Sequence, residues 1–235
     1  RNHLYVASNT GAFRSPDRGF PCYAANGLVA DESEPPGVKD IAASGGHIYY
    51  STGQGLFVSH DDGKTFRFAL LADGYLPVMA TGDTAFHLTQ AGLKVSTDGG
   101  EHFQTITTPQ PGGVSEMLGY QHNRLVVYRF VSTGSNGIHK FSPVTQDFEL
   151  WTGGIYDSHT LHKDILMHYN PNTAQIGRIF WDGSSDWVTP DGVSQWSVYG
   201  MWSAGNAVFM AATDQLFRSL DDGANWEQIA LPQTG

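Results

Sequence analysis

The chain has 235 residues, 40% of them hydrophobic and only 15% charged, which provides for a sizeable core and argues against disorder. Its net charge is −10, so a phosphate backbone or an anionic membrane surface is disfavoured as the main partner. One cysteine, Cys22, excludes an intrachain disulfide, and no apolar run reaches the roughly 18 residues that a membrane span needs.

Taken in chain order, the predicted elements are short strands. HLYVAS and GAFRS lead to the turn-rich stretch SPDRGFPC, Ser15 to Cys22. The next run, VKDIAAS, HIYYST and GLFVS, leads to SHDDGKTF, Ser59 to Phe66, and then FRFALL. LPVMATG, TAFHLT and GLKVS lead to STDGGEHF, Ser96 to Phe103, and FQTITT. Near the end VYGMWSAG, AVFMAAT and QLFRS lead to SLDDGANW, Ser219 to Trp226, and WEQIAL. The segments are β-branched or aromatic, alternate with period two, and are separated by turn residues. No segment has a helical period.

Four copies of Ser-x-Asp-x-Gly therefore recur: Ser15, Asp17 and Gly19; Ser59, Asp61 and Gly63; Ser96, Asp98 and Gly100; Ser219, Asp221 and Gly223. Three end on an aromatic, Phe66, Phe103 or Trp226, and Cys22 holds that place in the first. Two worn copies fill the gap: FSPVTQDF, Phe141 to Phe148, and FWDGSSDW, which keeps Asp182 and Trp187. The final positions at 22, 66, 103, 148, 187 and 226 are spaced by 44, 37, 45, 39 and 39. A period near forty with four strands per unit predicts an all-β, six-bladed β-propeller of four-stranded antiparallel blades. The expected organisation is one domain over 1–235, with blades at roughly 1–30, 31–72, 73–110, 111–153, 154–190 and 191–230.

Three readings of SHDDGKTF compete. A calcium loop lacks the remaining spacing and the closing glutamate. An acid–base pair needs one convergent site, whereas four copies on four blades set the aspartates far apart. A turn device fits the repetition: aspartate and serine accept from unpaired backbone N–H groups, glycine supplies positive φ, and the aromatic packs between sheets.

Ser-x-Asp-x-Gly-x-Thr-Phe/Trp resembles the Asp box of bacterial-neuraminidase-type (BNR) repeats, and SHDDGKTF matches it at every position. The resemblance implies Asp-box turns between the third and fourth strands of each blade, opposite the binding face. It also implies a secreted, periplasmic, cell-surface or virion setting. A sialidase of this kind would need three arginines on a substrate carboxylate, a tyrosine–glutamate pair and an aspartate. The usual Arg-Ile-Pro tripeptide is missing, and Arg14, Arg18 and Arg218 of the eight arginines lie at the boxes.

On the loop face the candidate ligand-binding residues are Trp196, Trp202, Tyr156, Asp40 and Asp157. A glycosidase would draw two carboxylates from Asp40, Asp157, Glu116 and Asp191. His159, His162 and His168 form a cluster, but odd spacing sends His159 and His162 to opposite faces of a strand, so no metal site is assigned. Cys22 reads as a buried thiol, and the acidic Gly27–Lys39 stretch as a solvated linker. No cofactor is expected. The expected role is a non-catalytic binding or structural module recognising a glycan or protein; the alternatives are a glycoside hydrolase and an assembly factor docking a protein partner. The first unit begins at its second strand, so the expectation is a three-stranded first blade or an innermost strand supplied by a longer native chain. The terminal LPQTG resembles a sortase signal without its apolar span and reads as a chance match or a tag.

Overall fold

The computed structural model describes residues 4–8, 11–15, 23–24, 38–71, 77–89, 92–106, 112–131, 136–153, 158–194 and 197–230. These form antiparallel sheets joined by tight turns, with no helix among the described residues. The first sheet holds three strands, β1 (Leu4–Ser8), β2 (Gly11–Ser15) and β3 (Tyr23–Ala24). The second holds β4 (Val38–Ser44), β5 (His47–Thr52), β6 (Gly55–Ser59) and β7 (Arg67–Leu71). The third holds β8 (Val78–Thr81), β9 (Thr84–Thr89), β10 (Gly92–Ser96) and β11 (Gln104–Ile106). The fourth holds β12 (Gly112–Gln121), β13 (Arg124–Val131), β14 (Gly137–Phe141) and β15 (Phe148–Gly153). The fifth holds β16 (Ser158–His162), β17 (Ile165–Asn170), β18 (Gln175–Phe180) and β19 (Ser185–Val188). The sixth holds β20 (Val198–Ala204), β21 (Ala207–Ala212), β22 (Gln215–Ser219) and β23 (Glu227–Ile229).

The strands of every sheet follow one another in chain order, so each sheet is a meander. The chain divides into two compact units, Arg1–Glu149 and Leu150–Gly235, with the boundary inside β15. Within the first unit β1 lies beside β4 and β4 beside β8; within the second, β16 lies beside β20.

Burial grades across each sheet. The second strand β5 is buried along nearly its whole length, and so is β6, whereas the outer strand β7 is half-buried to exposed and β19 is mostly exposed. Tyr49 and Tyr50 show why. As neighbours on one strand they point to opposite faces. Tyr49 packs with Leu56, Val58, Val78 and Ala85, while Tyr50 packs with Ile48, Phe57 and Phe66. A strand covered on both faces loses the clean alternation of a one-sided sheet and reads as a continuous apolar run. Further cores form around Phe86, Leu93, Leu125 and Phe141 in the first unit, and around Met167, Tyr169, Met210 and Phe217 in the second.

Candidate functional site

The repeated turns are built alike. In the copy at 59–66, buried Ser59 donates its Oγ–H to Asp61 Oδ1 at 2.8 Å and accepts the Gly63 N–H at 2.9 Å. Asp61 Oδ1 also accepts the N–H groups of Lys64 and Thr65 at 3.0 and 2.9 Å, and Oδ2 accepts the Thr65 hydroxyl at 2.7 Å. The copy at 96–103 repeats this: Ser96 to Asp98 at 2.7 Å, Gly100 N–H to Ser96 at 2.9 Å, His102 N–H to Asp98 at 3.0 Å. So does the copy at 219–226, with Ser219 to Asp221 at 2.9 Å, Gly223 N–H to Ser219 at 2.8 Å and Asn225 N–H to Asp221 at 2.8 Å. Donors aimed at a carboxylate stabilise its charged form. The Thr65 N–H thus holds Asp61 well below the usual carboxylate range, and the His102 N–H does the same for Asp98. The Asn225 side-chain amide brings Asp221 down to about 2.

The other residues of the repeat vary. Ser15 is buried, and Asp17 and Gly19 lie outside the described residues. Asp182 accepts both the N–H and the hydroxyl of Ser184, at 2.9 and 2.6 Å. Phe66 is buried and stacks on Tyr50 with ring centroids 4.2 Å apart; Phe103 and Trp226 pack against neighbouring cores. Trp187 remains 46% exposed, with its ring edge-on to His168 at 5.1 Å.

Arginines tie these turns to the sheet before them. Arg14 Nη1 donates to the Asp62 carbonyl at 2.7 Å, Arg67 Nη2 to the Gly100 carbonyl at 3.0 Å, and Arg178 Nη1 to the Asp222 carbonyl at 3.3 Å. Arg178 also grips Asp186, and Arg218 grips Glu227, each with a shortest contact of 2.5 Å.

Of the expected ligand-binding residues, Tyr156, Asp157 and Trp196 lie outside the described residues. Asp40 sits in β4, where Oδ1 accepts the Ile41 N–H at 2.9 Å and Oδ2 the Val78 N–H at 2.8 Å, so its carboxylate ties β4 to β8. Glu116 and Asp191 are exposed. Trp202 lies on β20, 43% exposed and stacked on Phe209 with ring centroids 5.8 Å apart and planes 13° from parallel. Tyr199, on the same strand, is 75% exposed, with its hydroxyl 3.2 Å from Thr213 Oγ1. The sequence reading did not single out Tyr199 as a site residue; its place beside two tryptophans in QWSVYGMW was the available signal.

The histidines separate. His159 faces His168 across the β16–β17 ladder, and burial, then the nearby His159, brings His168 down to about 4. His162 is fully buried and bonds instead to Ser203 and Asp222. Sequence reasoning missed a second pair, His47 and His60, whose Nδ1 atoms lie 2.7 Å apart beside Asp83, Glu101 and Arg67. Among the described residues no group of three or more histidine, cysteine or acidic side chains is placed to hold a metal ion.

No protein-family model matches the sequence, and no curated protein does either. Solved structures do match. YCF48 bound to a D1 peptide superposes with a TM-score of 0.69 at 17% identity, over 97% of this chain and 78% of that one. The likeness is one of fold, a β-propeller-like arrangement of small antiparallel sheets. A catalytically inactive virginiamycin B lyase of Staphylococcus aureus with quinupristin gives a TM-score of 0.62 at 12% identity, over 97% and 87% of the two chains. PorZ, a surface component of the type-IX secretion system of Porphyromonas gingivalis, gives 0.62 at 14% identity, over 99% of this chain and 31% of that one. A peptide-bound protein, a lyase and a secretion component share the fold, so activity has to be argued from side chains.

Proposed function

We propose that the chain is a non-catalytic binding module, a six-bladed propeller with Asp-box turns, that recognises a protein or glycan partner in a secreted, periplasmic, surface or virion setting. The observation that carries this reading is the pair of exposed aromatics on β20, Tyr199 and Trp202. Tyr and Trp are enriched where partners bind, and two such rings exposed on one strand supply the apolar area of an interface anchor. The stack of Trp202 on Phe209 fixes its plane and reduces the entropy lost on binding. A protein or peptide partner is favoured over a sugar by one further point: the matched structure of YCF48 has a peptide bound. The Asp-box residues are scaffold in this reading, because each carboxylate directs its acceptor sites to its own turn. Asp40 is scaffold for the same reason, which weakens the glycoside hydrolase alternative that would employ it. An assembly factor docking a protein through this strand is the nearest variant.

The test is capture from extracytoplasmic extract of the source organism, run beside a glycan array with a paired hydrolysis assay on the same glycans. Tyr199→Ala and Trp202→Ala are each expected to weaken binding by roughly 10-fold or more, the effect of losing an interface anchor of about 1.4 kcal/mol or above. Retained binding in both variants with unchanged circular dichroism removes β20 as the binding strand; turnover of an array glycan favours the hydrolase.

A further inference from the structure

Within the second unit three side chains meet in an order that the binding role does not require. His162, the last residue of β16, is fully buried. Its Nε2 lies 3.1 Å from Asp222 Oδ1 and its Nδ1 lies 2.7 Å from the Oγ of Ser203. Lys163 Nζ reaches the same Asp222 oxygen at 2.5 Å, and holds that carboxyl below its ordinary range, hence ionised. An ionised carboxylate only accepts, so the imidazole proton sits on Nε2. In the neutral ring Nδ1 then carries the lone pair and can accept the Ser203 hydroxyl proton. Ser203 itself is exposed, two residues before the Gly205–Asn206 turn that joins β20 to β21.

The turn holding Asp222 is pinned against the fifth sheet. Arg178 donates to its carbonyl at 3.3 Å. Gly223 follows at φ +79°, where a Cβ would stand 2.9 Å from Met167 Sδ. The left-handed φ favours glycine here, and the turn it closes holds Asp222 beside His162.

We propose that Ser203, His162 and Asp222 form a nucleophile, base and positioning group that make Ser203 the acceptor of an acyl group from a surface-accessible activated ester. The signature is a hydroxyl within hydrogen-bond reach of a base that a third group orients, and it is recognised by geometry rather than by order in the chain. Here the ring is reversed relative to the usual arrangement, with the serine on Nδ1 and the carboxylate on Nε2. Ser203 Oγ bonds to the ester carbonyl carbon while its proton passes to His162 Nδ1. The carbonyl electron pair moves onto oxygen, then returns to expel the alkoxide, which takes the proton from Nδ1. The products are acyl-Ser203 and the free alcohol, with neutral His162 restored. Asp222 stabilises the transient imidazolium and acts only through His162.

The probe is a biotinylated fluorophosphonate, applied to the full chain at pH 8 and mapped by peptide mass spectrometry. Labelling is expected at Ser203, absent in Ser203→Ala, and slowed about 100-fold or more in His162→Gln, the scale of general-base assistance. Because His162 is buried and its replacement can unfold the unit, Asp222→Asn provides a second reading. It should slow labelling and change its dependence on pH, which a merely structural tie would not do. The urea-unfolded wild-type chain is the internal reference. Folded wild type that labels Ser203 no faster than the unfolded chain overturns the proposal. So does labelling that neither His162→Gln nor Asp222→Asn slows. Loss of partner binding in the β20 aromatic variants leaves this outcome untouched, so the two readings fail separately.

Discussion

Ser59 illustrates how much one hydroxyl carries. It is buried, donates to Asp61 and accepts the Gly63 N–H, so a single oxygen joins the aspartate to the tightest part of the turn. Ser59→Ala leaves the Gly63 N–H without this acceptor in a buried position. The expected cost is about 1–3 kcal/mol, the desolvation penalty of an unmade hydrogen bond, read as a lower urea midpoint at unchanged slope. Ser59→Thr, which retains the hydroxyl, should recover part of the loss.

The strand pair β17–β18 shows the same dependence at the scale of an element. Gly177 pairs with His168 in the ladder, and a Cβ there would lie 2.3 Å from His168 Nε2. The imidazole is buried over the glycine on one side and meets Trp187 on the other. Gly177→Ala therefore overpacks a closed site and is expected to cost about 1–3 kcal/mol, seen as a lowered melting temperature. A change of 0.5 kcal/mol or less would mean that the ring has room to swing away.

Across the described residues, burial raises the tyrosines Tyr49 and Tyr50, whereas the shifted histidines and carboxylates move down, and only these last two classes titrate in the acid range. Burial brings His87 down to about 4, as it does His168, and the turn donors bring Asp221 to about 2 and hold Asp61 and Asp98 well below the usual carboxylate range. A folded-state pKa below the unfolded value gives stability that is present above the unfolded pKa and lost as pH falls through the folded one. The histidine contribution thus declines from about pH 6.5 towards 4, and the carboxylate contribution from about pH 3.9 downward. Urea midpoints measured from pH 8 to 2 should fall in these two stages. Asp61→Asn together with Asp98→Asn should flatten the lower stage alone; an unchanged lower stage would show that these turns do not govern acid lability.

By itself the sequence determined the local chemistry that repeats. Ser-x-Asp-x-Gly at a period near forty, with period-two strands between copies, defines a meander of small sheets, and four sheets follow it closely enough to be read in advance. These features depend on neighbours within a few residues, which is why they are legible. Of the two worn copies, the one ending at Phe148 was legible mainly through its spacing, and the other through its retained Asp182 and Trp187. Tertiary structure alone decided which side chains from different turns meet. Nothing in HKD, WSAG and LDDG, some twenty to forty residues apart, announces that His162, Ser203 and Asp222 join. The period-two pattern likewise failed at β5, where Tyr49 and Tyr50 are both fully buried because sheets cover both faces. A one-sided sheet enforces alternation by leaving one face in water; when packing removes that water, only the assembled neighbours determine which residues are core.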